Sequence, residues 1–485
     1  MIGALLDGGV LLAAYVVAYL LRFDLATPRW GWGPVLLGFG VVLLIGGVAL
    51  GVTGAWRVRG RTVTFWAVPR FTLAAIVLMG VLLGLRVLFP ADEAVVIRPP
   101  IGVSVMTGVL ALMGWLGVRY VQRVQLRPIE VVDLLGRCEA EVGTAAVLAG
   151  FRGKRVLITG AGGSIGGELA RQVLAAAPAR LVLLDLSEAA LYQVMEQLSP
   201  GGEEVLRAVV GDCGQRNFIR AILAEEQPEV LLHAAAYKHV PMMEANPGEA
   251  LRNNAFASRI LAEEARRAGV GSFVLISTDK AIRPISAMGR SKRLAEILVR
   301  DLAEEPGPTR FCAVRFGNVL ESSGSVVPKF RKQIAAGGPV TVTDARMVRY
   351  FMTLSEAVGL VLQAALLAQG GEIFVLDMGE PMAILALAET MIRLSGLRPY
   401  VDIPIVFSGT RPGEKLAEEL GVRAVQGRRT EHARIFIGQI AQLPHARVQT
   451  LVETIEKLLE EVAAITVQDL ANLLKDEGDQ THEVV

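Results

Sequence analysis

The sequence is poor in cysteine and in aromatic residues, and it has almost no excess of charge. Its 485 residues include three cysteines, Cys138, Cys213 and Cys312, with no CxxC pair, so neither a disulfide framework nor a metal site is predicted. The 49 basic and 48 acidic residues leave a formal net charge of +1. Because no basic stripe interleaved with aromatic residues occurs either, no nucleic acid partner is expected.

Charge is also missing from long stretches before residue 120. Residues 35–55 and 99–118 carry no charged side chain, and as helices each is long enough to cross about 30 Å of hydrocarbon. The apolar runs 8–21 and 71–85 are shorter, but the charged side chains at their ends can snorkel to the headgroups. We therefore predict about four transmembrane helices within residues 1–120.

The positions of the loop arginines predict how these helices are oriented. They lie between the second and third runs and after the fourth run, at Arg57, Arg59, Arg61, Arg70, Arg119, Arg123 and Arg127. Since cytoplasmic loops are enriched in basic residues, both ends of the region are expected in the cytoplasm. The sequence thus predicts a multi-pass protein of the inner (cytoplasmic) membrane with its C-terminal domain in the cytoplasm.

From residue 154 onward, short runs rich in leucine and β-branched residues alternate with helical stretches. The runs cover residues 154–160, 179–185, 205–212, 229–235, 272–278 and 310–318. Such runs are typical of strands buried on both faces, and their alternation with helices predicts a doubly wound parallel sheet. The predicted fold class is α/β: transmembrane helices, then a Rossmann-type sheet with a small substrate-binding lobe.

The first turn of this sheet, "TGAGGSIGGEL" at residues 159–169, has the glycine spacing of a dinucleotide-binding turn. Gly160 permits the tight turn, Gly163 lets backbone amides approach a pyrophosphate, and Gly166 lets the helix pack on the sheet. Asp185 ends the second strand, where a carboxylate binds ribose hydroxyls and repels a 2′-phosphate, so NAD is favoured over NADP. The predicted cofactor-binding residues in this part of the chain are Gly160, Gly163, Ser164, Ile165, Gly166, Asp185, Asp212 and Ala234.

Residues 277–292, "STDKAIRPISAMGRSK", have the layout of a short-chain dehydrogenase site except that its tyrosine is missing. Met288 stands four residues before Lys292, in the place of the phenol. Because a thioether neither gives nor takes a proton at neutral pH, either the site is inactive or other side chains carry the proton. Met288 is then a core residue or a neutral part of the site.

Seven motifs occur in order between about residues 130 and 425. They are "ITGAGGSIGGELARQ", "HAAAYKHVPMMEANP", "STDKAIRPISAMGRSKRLAE", "RFGNVLESSGSVVPKF", "RYFMT", "GGEIFVLDMGEP" and "RPGEK". Together they resemble the membrane-bound nucleotide-sugar 4,6-dehydratases of the CapD-like polysaccharide biosynthesis family, within the extended short-chain dehydrogenases. Larger members carry a further Rossmann-like domain before the catalytic domain, and this chain is expected to be a shortened form.

The resemblance implies a reaction and roles for single residues. Members typically use NAD to convert UDP-N-acetylglucosamine to its 4-keto-6-deoxy derivative, by C4 oxidation, loss of water across C5 and C6, and hydride return to C6. By resemblance Asp279 is the acid and Lys280 the base, Thr278 binds the C4 oxygen, and Lys292 binds the nicotinamide ribose. The acceptor of the C4 hydroxyl proton stays open between Asp279, through Thr278 or a water, and Lys280.

The region after residue 318 is expected to form the lobe that closes over a UDP-sugar. Arg411 can bind a diphosphate with its planar fork, and Glu414 can accept from ribose hydroxyls. Arg315, Asn318 and Lys329 are further predicted substrate contacts.

The predicted organisation has five parts. They are a transmembrane region (1–120), a linker (121–152), an NAD-binding Rossmann domain (153–318), a mixed region that completes this domain and forms the lobe (319–446), and a C-terminal helix with an acidic tail (447–485). The helix is expected to cover the sheet or a neighbouring subunit, and a homo-oligomer is expected. Two alternatives stay open: a nucleotide-sugar C4 epimerase, which needs no elimination pair, and a catalytically silent membrane-anchored scaffold, suggested by Met288.

Overall fold

Helices before residue 130 and a mixed α/β region after it make up the computed structural model. The residues it describes are 2–22, 32–53, 55, 68–88, 101–124, 134, 145–199, 202, 204–320, 322, 324–419, 428–438, 442–461 and 465–475. Contacts divide the chain into two units. One unit holds Met1–Ile129, Arg331–Val340 and Glu389–Ile405, and the other holds Glu130–Phe330, Thr341–Ala388 and Val406–Val485.

The described helices range from single turns to more than six turns. In chain order they are α1 (Ile2–Arg22), α2 (Trp32–Val52), α3 (Val68–Leu88), α4 (Ile101–Val124), α5 (Ala145–Phe151), α6 (Ser164–Ala175), α7 (Glu188–Leu198), α8 (Arg216–Glu226), α9 (Val240–Ala245), α10 (Pro247–Glu249), α11 (Ala257–Arg267), α12 (Ala287–Asp301), α13 (Val326–Ala335), α14 (Leu354–Leu367), α15 (Ile384–Leu394), α16 (His445–Glu460) and α17 (Val467–Leu473). A π-helical segment, Ala250–Phe256, precedes α11, and a 3₁₀ turn, Asp279–Ala281, follows the fifth strand.

The described strands are mostly short. They are β1 (Arg155–Thr159), β2 (Arg180–Asp185), β3 (Leu206–Val210), β4 (Val230–His233), β5 (Ser272–Ile276), β6 (Arg310–Arg315), β7 (Asn318–Val319), β8 (Val340–Val342), β9 (Val348–Arg349), β10 (Phe351–Met352), β11 (Glu372–Leu376), β12 (Met382–Ala383), β13 (Ile405–Phe407), β14 (Arg428–Arg429) and β15 (Ile435–Ile437).

Helices α1 to α4 cover the four apolar runs of the sequence. Their shared core includes Phe71 and Trp115, whose ring centroids lie 6.0 Å apart. Among the described residues, Ile101–Val118 is the segment long and apolar enough to cross a membrane, and Gly38–Val52 and Pro69–Gly84 are shorter apolar stretches. Crossing by all four helices stays a prediction. The loop arginines Arg57, Arg59, Arg61 and Arg127 lie outside the described residues.

The doubly wound parallel sheet is confirmed. Nine described strands follow the order β14-β15-β11-β6-β5-β4-β1-β2-β3, and all run in one direction except β15, which pairs antiparallel with both β11 and β14. Both faces are buried, because Val156 and Ile158 of β1 face one core cluster and Leu157 faces the other. The order reverses direction between β1 and β4, which is where a ligand cleft forms in such sheets.

The strands end earlier than the apolar runs predict. The run 272–278 ends as a strand at Ile276, and the run 310–318 ends at Arg315. The residues beyond these ends leave the sheet and form the loops above its carboxyl edge. Beyond β6, Asn318 pairs with Phe351 in a separate two-stranded ladder of β7 and β10.

The C-terminal region contains two described helices, of which the sequence predicted one. Val448, Leu451 and Ile455 of α16 and Leu470 of α17 join a core cluster with residues of α12 such as Leu298. The helices therefore pack on α12 and its neighbours instead of directly on the sheet, and contact with a neighbouring subunit stays a prediction. The acidic tail, residues 476–485, lies outside the described residues.

Candidate active site

A cleft of about 1030 Å³ lies at the carboxyl ends of β1, β4, β5 and β6, within the second unit. The predicted site residues that line it are Gly160, Gly163, Ser164, Ile165, Gly166, Ala234, Thr278, Lys280, Met288, Lys292, Asn318, Lys329, Arg411 and Glu414. Asp185, Asp212, Asp279 and Arg315 do not line it. The fold thus brings most of the predicted residues to one place.

The glycine turn after β1 packs too closely against neighbouring backbone to hold side chains at two of its glycines. Gly160 has φ +67°, and a Cβ there would lie 2.5 Å from the backbone nitrogen of Ala235. A Cβ on Gly166 would lie 2.1 Å from the carbonyl oxygen of Gly160. Helix α6 begins directly afterwards, with Gly163 as an N-cap that provides no side-chain cap. A glycine cradle at a helix N-terminus fits a pyrophosphate.

Two predicted cofactor carboxylates lie outside the lining of this cleft and are held by their own loops. Asp185 accepts hydrogen bonds from the backbone N–H groups of Gly162 (2.9 Å) and Ser187 (2.8 Å). Asp212 accepts one from Gly214 at 2.7 Å. Their positions after neighbouring strands suit a ribose and a base, and each carboxylate already accepts at least one backbone hydrogen bond.

The segment after β5 carries the acid and base candidates. Its backbone is fixed to the residue that follows β6, since the backbone N–H of Asp279 donates to the carbonyl oxygen of Phe316 at 3.0 Å. The Asp279 Oδ1 atom accepts from Thr278 Oγ1 (2.8 Å) and from Lys280 Nζ (2.9 Å), and Lys280 also donates to Asn318 Oδ1 at 3.2 Å. The Asp279 side chain is 0 % exposed. It therefore lies behind Thr278 and Lys280, which face the cleft.

Helix α12 presents Met288 and Lys292, one turn apart, to the same cleft. Gly289 lets this helix approach the 3₁₀ turn Asp279–Ala281, because a Cβ there would lie 2.3 Å from the carbonyl oxygen of Lys280. Burial lowers the pKa of Lys292 to about 8, against the opposing influence of Glu296. Met288 is 4 % exposed and belongs to the core cluster shared with the C-terminal helices, so it is both a core residue and a wall of the cleft.

The far side of the cleft gathers polar residues from the later part of the chain. Lys329, Arg411 and Glu414 lie near one another: burial and then Arg411 lower the pKa of Lys329, whereas Glu414 opposes this change. The backbone N–H of Arg411 donates to the Glu414 carboxylate at 3.2 Å. Two cations and one carboxylate therefore lie together in the lining of the cleft.

Arg315 does not fit its predicted role as a substrate contact. Its side chain is 4 % exposed and donates to both carboxylate oxygens of Glu296, at 2.7 and 2.5 Å. The guanidinium is thus held inside the domain by a buried ion pair. The strand end carries Arg315 toward α12 and away from the cleft.

The structure also adds residues that sequence reasoning missed. Lys238, Arg349 and Glu418 line the cleft. Asn254, in the π-helical segment, accepts from the Tyr237 backbone N–H at 2.7 Å and donates to its carbonyl oxygen at 2.9 Å, so it fixes the loop after β4. The motif "RYFMT" begins at Arg349 and "RPGEK" ends three residues before Glu418, but neither pattern shows which side chains reach the cleft.

The chain matches known proteins over the region that builds this cleft. The family described as "Polysaccharide biosynthesis protein" matches residues 156–440. The chain belongs to this family. The capsular polysaccharide biosynthesis protein CapD of Staphylococcus aureus is 46% identical over 342 residues, which are 69% of this chain and 57% of that protein. The chain therefore spans little more than half the length of this relative.

Two less similar relatives are matched over a larger share of their own length. The UDP-N-acetylglucosamine 4,6-dehydratase (inverting) of Campylobacter jejuni is 34% identical, with 55% of this chain and 77% of that protein covered. The UDP-glucose 4-epimerase of Rickettsia typhi is also 34% identical, with 56% and 78% covered. The X-ray structure of Pen from Bacillus thuringiensis superposes with a TM-score of 0.55 at 31% identity, covering 63% of this chain and 99% of that one. The resemblance found in the sequence is confirmed at the level of the family.

Proposed function

We propose that the protein dehydrates a UDP-N-acetylhexosamine, first of all UDP-N-acetylglucosamine, to its 4-keto-6-deoxy sugar in an NAD-dependent reaction for surface polysaccharide or glycan biosynthesis. The observation that carries this proposal is the turn Thr278–Asp279–Lys280, whose hydroxyl and amine face the same cleft as the glycine turn. The dehydratase of Campylobacter jejuni is a relative that supports it.

The glycine turn and helix α6 would hold the pyrophosphate of NAD, Asp185 the adenosine ribose, and Lys292 the nicotinamide ribose. NAD, when bound, supplies a hydride acceptor for C4 and the hydride that C6 later receives. Burial keeps water away from Lys292, so its positive charge would act on the nicotinamide with little screening, while the same burial lowers its pKa.

Proton transfer falls to the residues of the catalytic turn. Thr278 Oγ1 takes the proton of the C4 hydroxyl and passes its own to Asp279, across the 2.8 Å hydrogen bond. Asp279 returns that proton through Thr278 to the departing C6 hydroxyl, which leaves as water. Lys280, as a neutral amine, removes the C5 proton and later gives it back. The proton count closes without a phenol, which accounts for Met288.

The far side of the cleft would bind the UDP group. Lys329 and Arg411 offer two cations for the diphosphate, and Glu414 offers a carboxylate for ribose hydroxyls. We also propose that α1 to α4 anchor the catalytic unit to the inner membrane with this unit in the cytoplasm. Their lengths of 21–24 residues suit a bilayer.

A C4 epimerase is the second candidate, because the epimerase of Rickettsia typhi has the same 34% identity as the dehydratase. The deciding experiment incubates the detergent-solubilised, NAD-loaded protein with UDP-N-acetylglucosamine in deuterated water. We expect a product lighter by one water with solvent deuterium at C5, identified by mass spectrometry and NMR. A C4 epimer without deuterium at C5 would establish the epimerase. Unchanged substrate, with folded and loaded protein, would favour the silent scaffold.

A further inference from the structure

Glu418 is a buried carboxyl group that the steps of the proposed reaction leave without a part. Its side chain is 4 % exposed, yet it is among the groups that line the cleft. Its Oε2 atom is buried and has no hydrogen-bond partner among the residues that the structure describes. A buried carboxylate with an unused oxygen is costly unless it takes a proton or a partner.

The cations near Glu418 lie close to it without a direct hydrogen bond. The Oε1 atom is 3.9 Å from Lys280 Nζ and 3.6 Å from Arg349 Nη2. The Arg349 guanidinium is held instead by three backbone carbonyl oxygens, those of Val348 (2.7 Å), Leu416 (3.1 Å) and Lys415 (2.7 Å). Arg349 thus supplies positive potential, and both oxygens of Glu418 stay able to bind a proton.

The surroundings favour a proton on Glu418. Burial raises the pKa of Glu418, and the Asp279 charge raises it further, whereas Lys280, Arg349 and Lys415 lower it. The net pKa lies above that of an ordinary glutamate. Glu418 therefore takes a proton more readily than a carboxylate at the surface does.

The proposed mechanism needs such an acceptor. Lys280 donates a hydrogen bond to Asp279 and to Asn318, which suits an ammonium, whereas the base at C5 must be a neutral amine. Asp279 cannot take the extra proton, because it receives the one from the C4 hydroxyl. A second carboxylate within reach of Lys280 solves this conflict.

We propose that Glu418 is the proton acceptor for Lys280. One N–H bond of the Lys280 ammonium breaks and one O–H bond forms on the Glu418 carboxylate, leaving a neutral amine and a neutral carboxylic acid. A bridging water carries the proton across the 3.9 Å gap. The proposal rests on the dehydratase function, and since Glu418 acts through Lys280 it is a positioning residue.

The test is the pH profile of kcat for Glu418→Gln. Without an internal acceptor, Lys280 must lose its proton to solvent, so kcat near pH 7 should fall by about 10²–10³-fold and should recover progressively as the pH is raised. KM for the UDP-sugar should change little. Glu418→Asp should recover part of the activity at neutral pH. The matched control is Glu419→Gln, whose carboxylate lies near Arg283 and Lys415 and does not line the cleft.

A second measurement does not depend on turnover. The infrared band of the protonated Glu418 carboxyl group, assigned as the band that Glu418→Gln removes, is followed across pH in the full chain. We expect it to persist above the ordinary glutamate pKa of about 4.3 and, in Lys280→Met, to persist to a higher pH still, because the Lys280 charge lowers the pKa of Glu418.

Three outcomes are distinguishable. A pH-independent loss of kcat in Glu418→Gln, or an infrared titration like that of an ordinary glutamate, overturns the role of Glu418 even in an active dehydratase. Absence of the 4-keto product in the native chain, together with an infrared band that responds to Lys280→Met, removes the dehydratase proposal and supports the proton-sharing pair. The expected profile together with the expected band supports both.

Discussion

Two ion pairs with buried carboxylates lie at the carboxyl ends of the adjacent strands β5 and β6, and they differ in how many hydrogen bonds these carboxylates accept. Glu296 accepts from Arg315 through both oxygens and from Ser277 Oγ at 2.6 Å, and Arg293 lies 3.3 Å away. Burial raises the pKa of Glu296, but Arg315 and Arg293 lower it more, so this carboxylate stays charged.

The pair on β5 is incomplete by comparison. Asp279 Oδ1 accepts from Thr278 and Lys280, while its Oδ2 atom is buried with no hydrogen-bond partner among the described residues. Both oxygens of Glu296 accept hydrogen bonds, which leaves no free oxygen for a proton, whereas Asp279 Oδ2 can still bind one. We call the Glu296 pair saturated and the Asp279 pair incomplete. Of two similar ion pairs, the one whose carboxylate has an oxygen without a hydrogen bond is therefore the candidate for proton transfer.

The largest expected effect is on rate, at the incomplete pair. Lys280→Met should lower kcat by about 10³–10⁴-fold, because it removes the proposed base at C5. Circular dichroism should show a folded protein, since the side chain is partly exposed to the cleft. Lys154→Met is the control, because Lys154 pairs with Glu229 at the surface, with side chains 44% and 38% exposed. If Lys154→Met lowered kcat as much as Lys280→Met does, the effect would not be specific to the pair at the cleft.

The saturated pair should show the reverse behaviour. Arg315→Met should lower the free energy of unfolding by about 3–5 kcal/mol, since it leaves Glu296 buried without its main partner. The kcat of the remaining folded protein should change less than tenfold. Hydrogen exchange in peptides of β6 and α12 measures the stability of this region directly.

The pH dependence of Arg315→Met follows from the pKa of Glu296. In the native protein this pKa is lowered, so the carboxylate contributes stability above the unfolded value of about 4.3 and loses it as pH falls further. In the variant, the loss of Arg315 removes the main influence that opposes burial, so the pKa of Glu296 rises. A charged Glu296 then destabilises the fold. The stability deficit should therefore be largest near pH 7 and shrink in acid. A deficit independent of pH would contradict the assignment.

The sequence predicted the strands, the glycine turn and the position of Lys280, because these depend on local patterns. It placed Arg315 wrongly, since strands buried on both faces lack the alternation that would tell which way a side chain points. It could not show that Asp279 lies behind Thr278, because a 3₁₀ turn bonded to the next strand sets that direction. Glu418 was missed because only the fold brings it near Lys280.

Lys292 adds a third case to the two ion pairs, because it is a buried cation in the lining of the cleft whose charge lowers the free energy of unfolding. Burial lowers its pKa to about 8, below the unfolded value of about 10.4, so the buried charge destabilises the fold at lower pH and stability rises between these values. Lys292→Met should raise the free energy of unfolding near pH 7 by about 2–4 kcal/mol. It should also weaken NAD binding, measured by calorimetry. A destabilised variant would contradict this account.

A substitution at Gly289 tests whether the position of Lys280 depends on the packing of α12 against the turn Asp279–Ala281. Alanine ordinarily stabilises a helix interior by about 1 kcal/mol over glycine. At this position a Cβ would lie 2.3 Å from the carbonyl oxygen of Lys280, a backbone atom that cannot rotate away, so the clash should win. Gly289→Ala should lower the free energy of unfolding by about 1–3 kcal/mol and lower kcat more than tenfold, because the turn that carries Lys280 must shift.

The matched control for this substitution is Gly248→Ala, where a Cβ would lie 3.5 Å from Ile465, an ordinary contact distance. Unfolding followed by circular dichroism and product formation followed by mass spectrometry measure the two effects. If Gly289→Ala were as stable and as active as Gly248→Ala, the turn could move without loss. The position of Lys280 would then depend on its side-chain hydrogen bonds to Asp279 and Asn318 rather than on the packing of α12 against the turn.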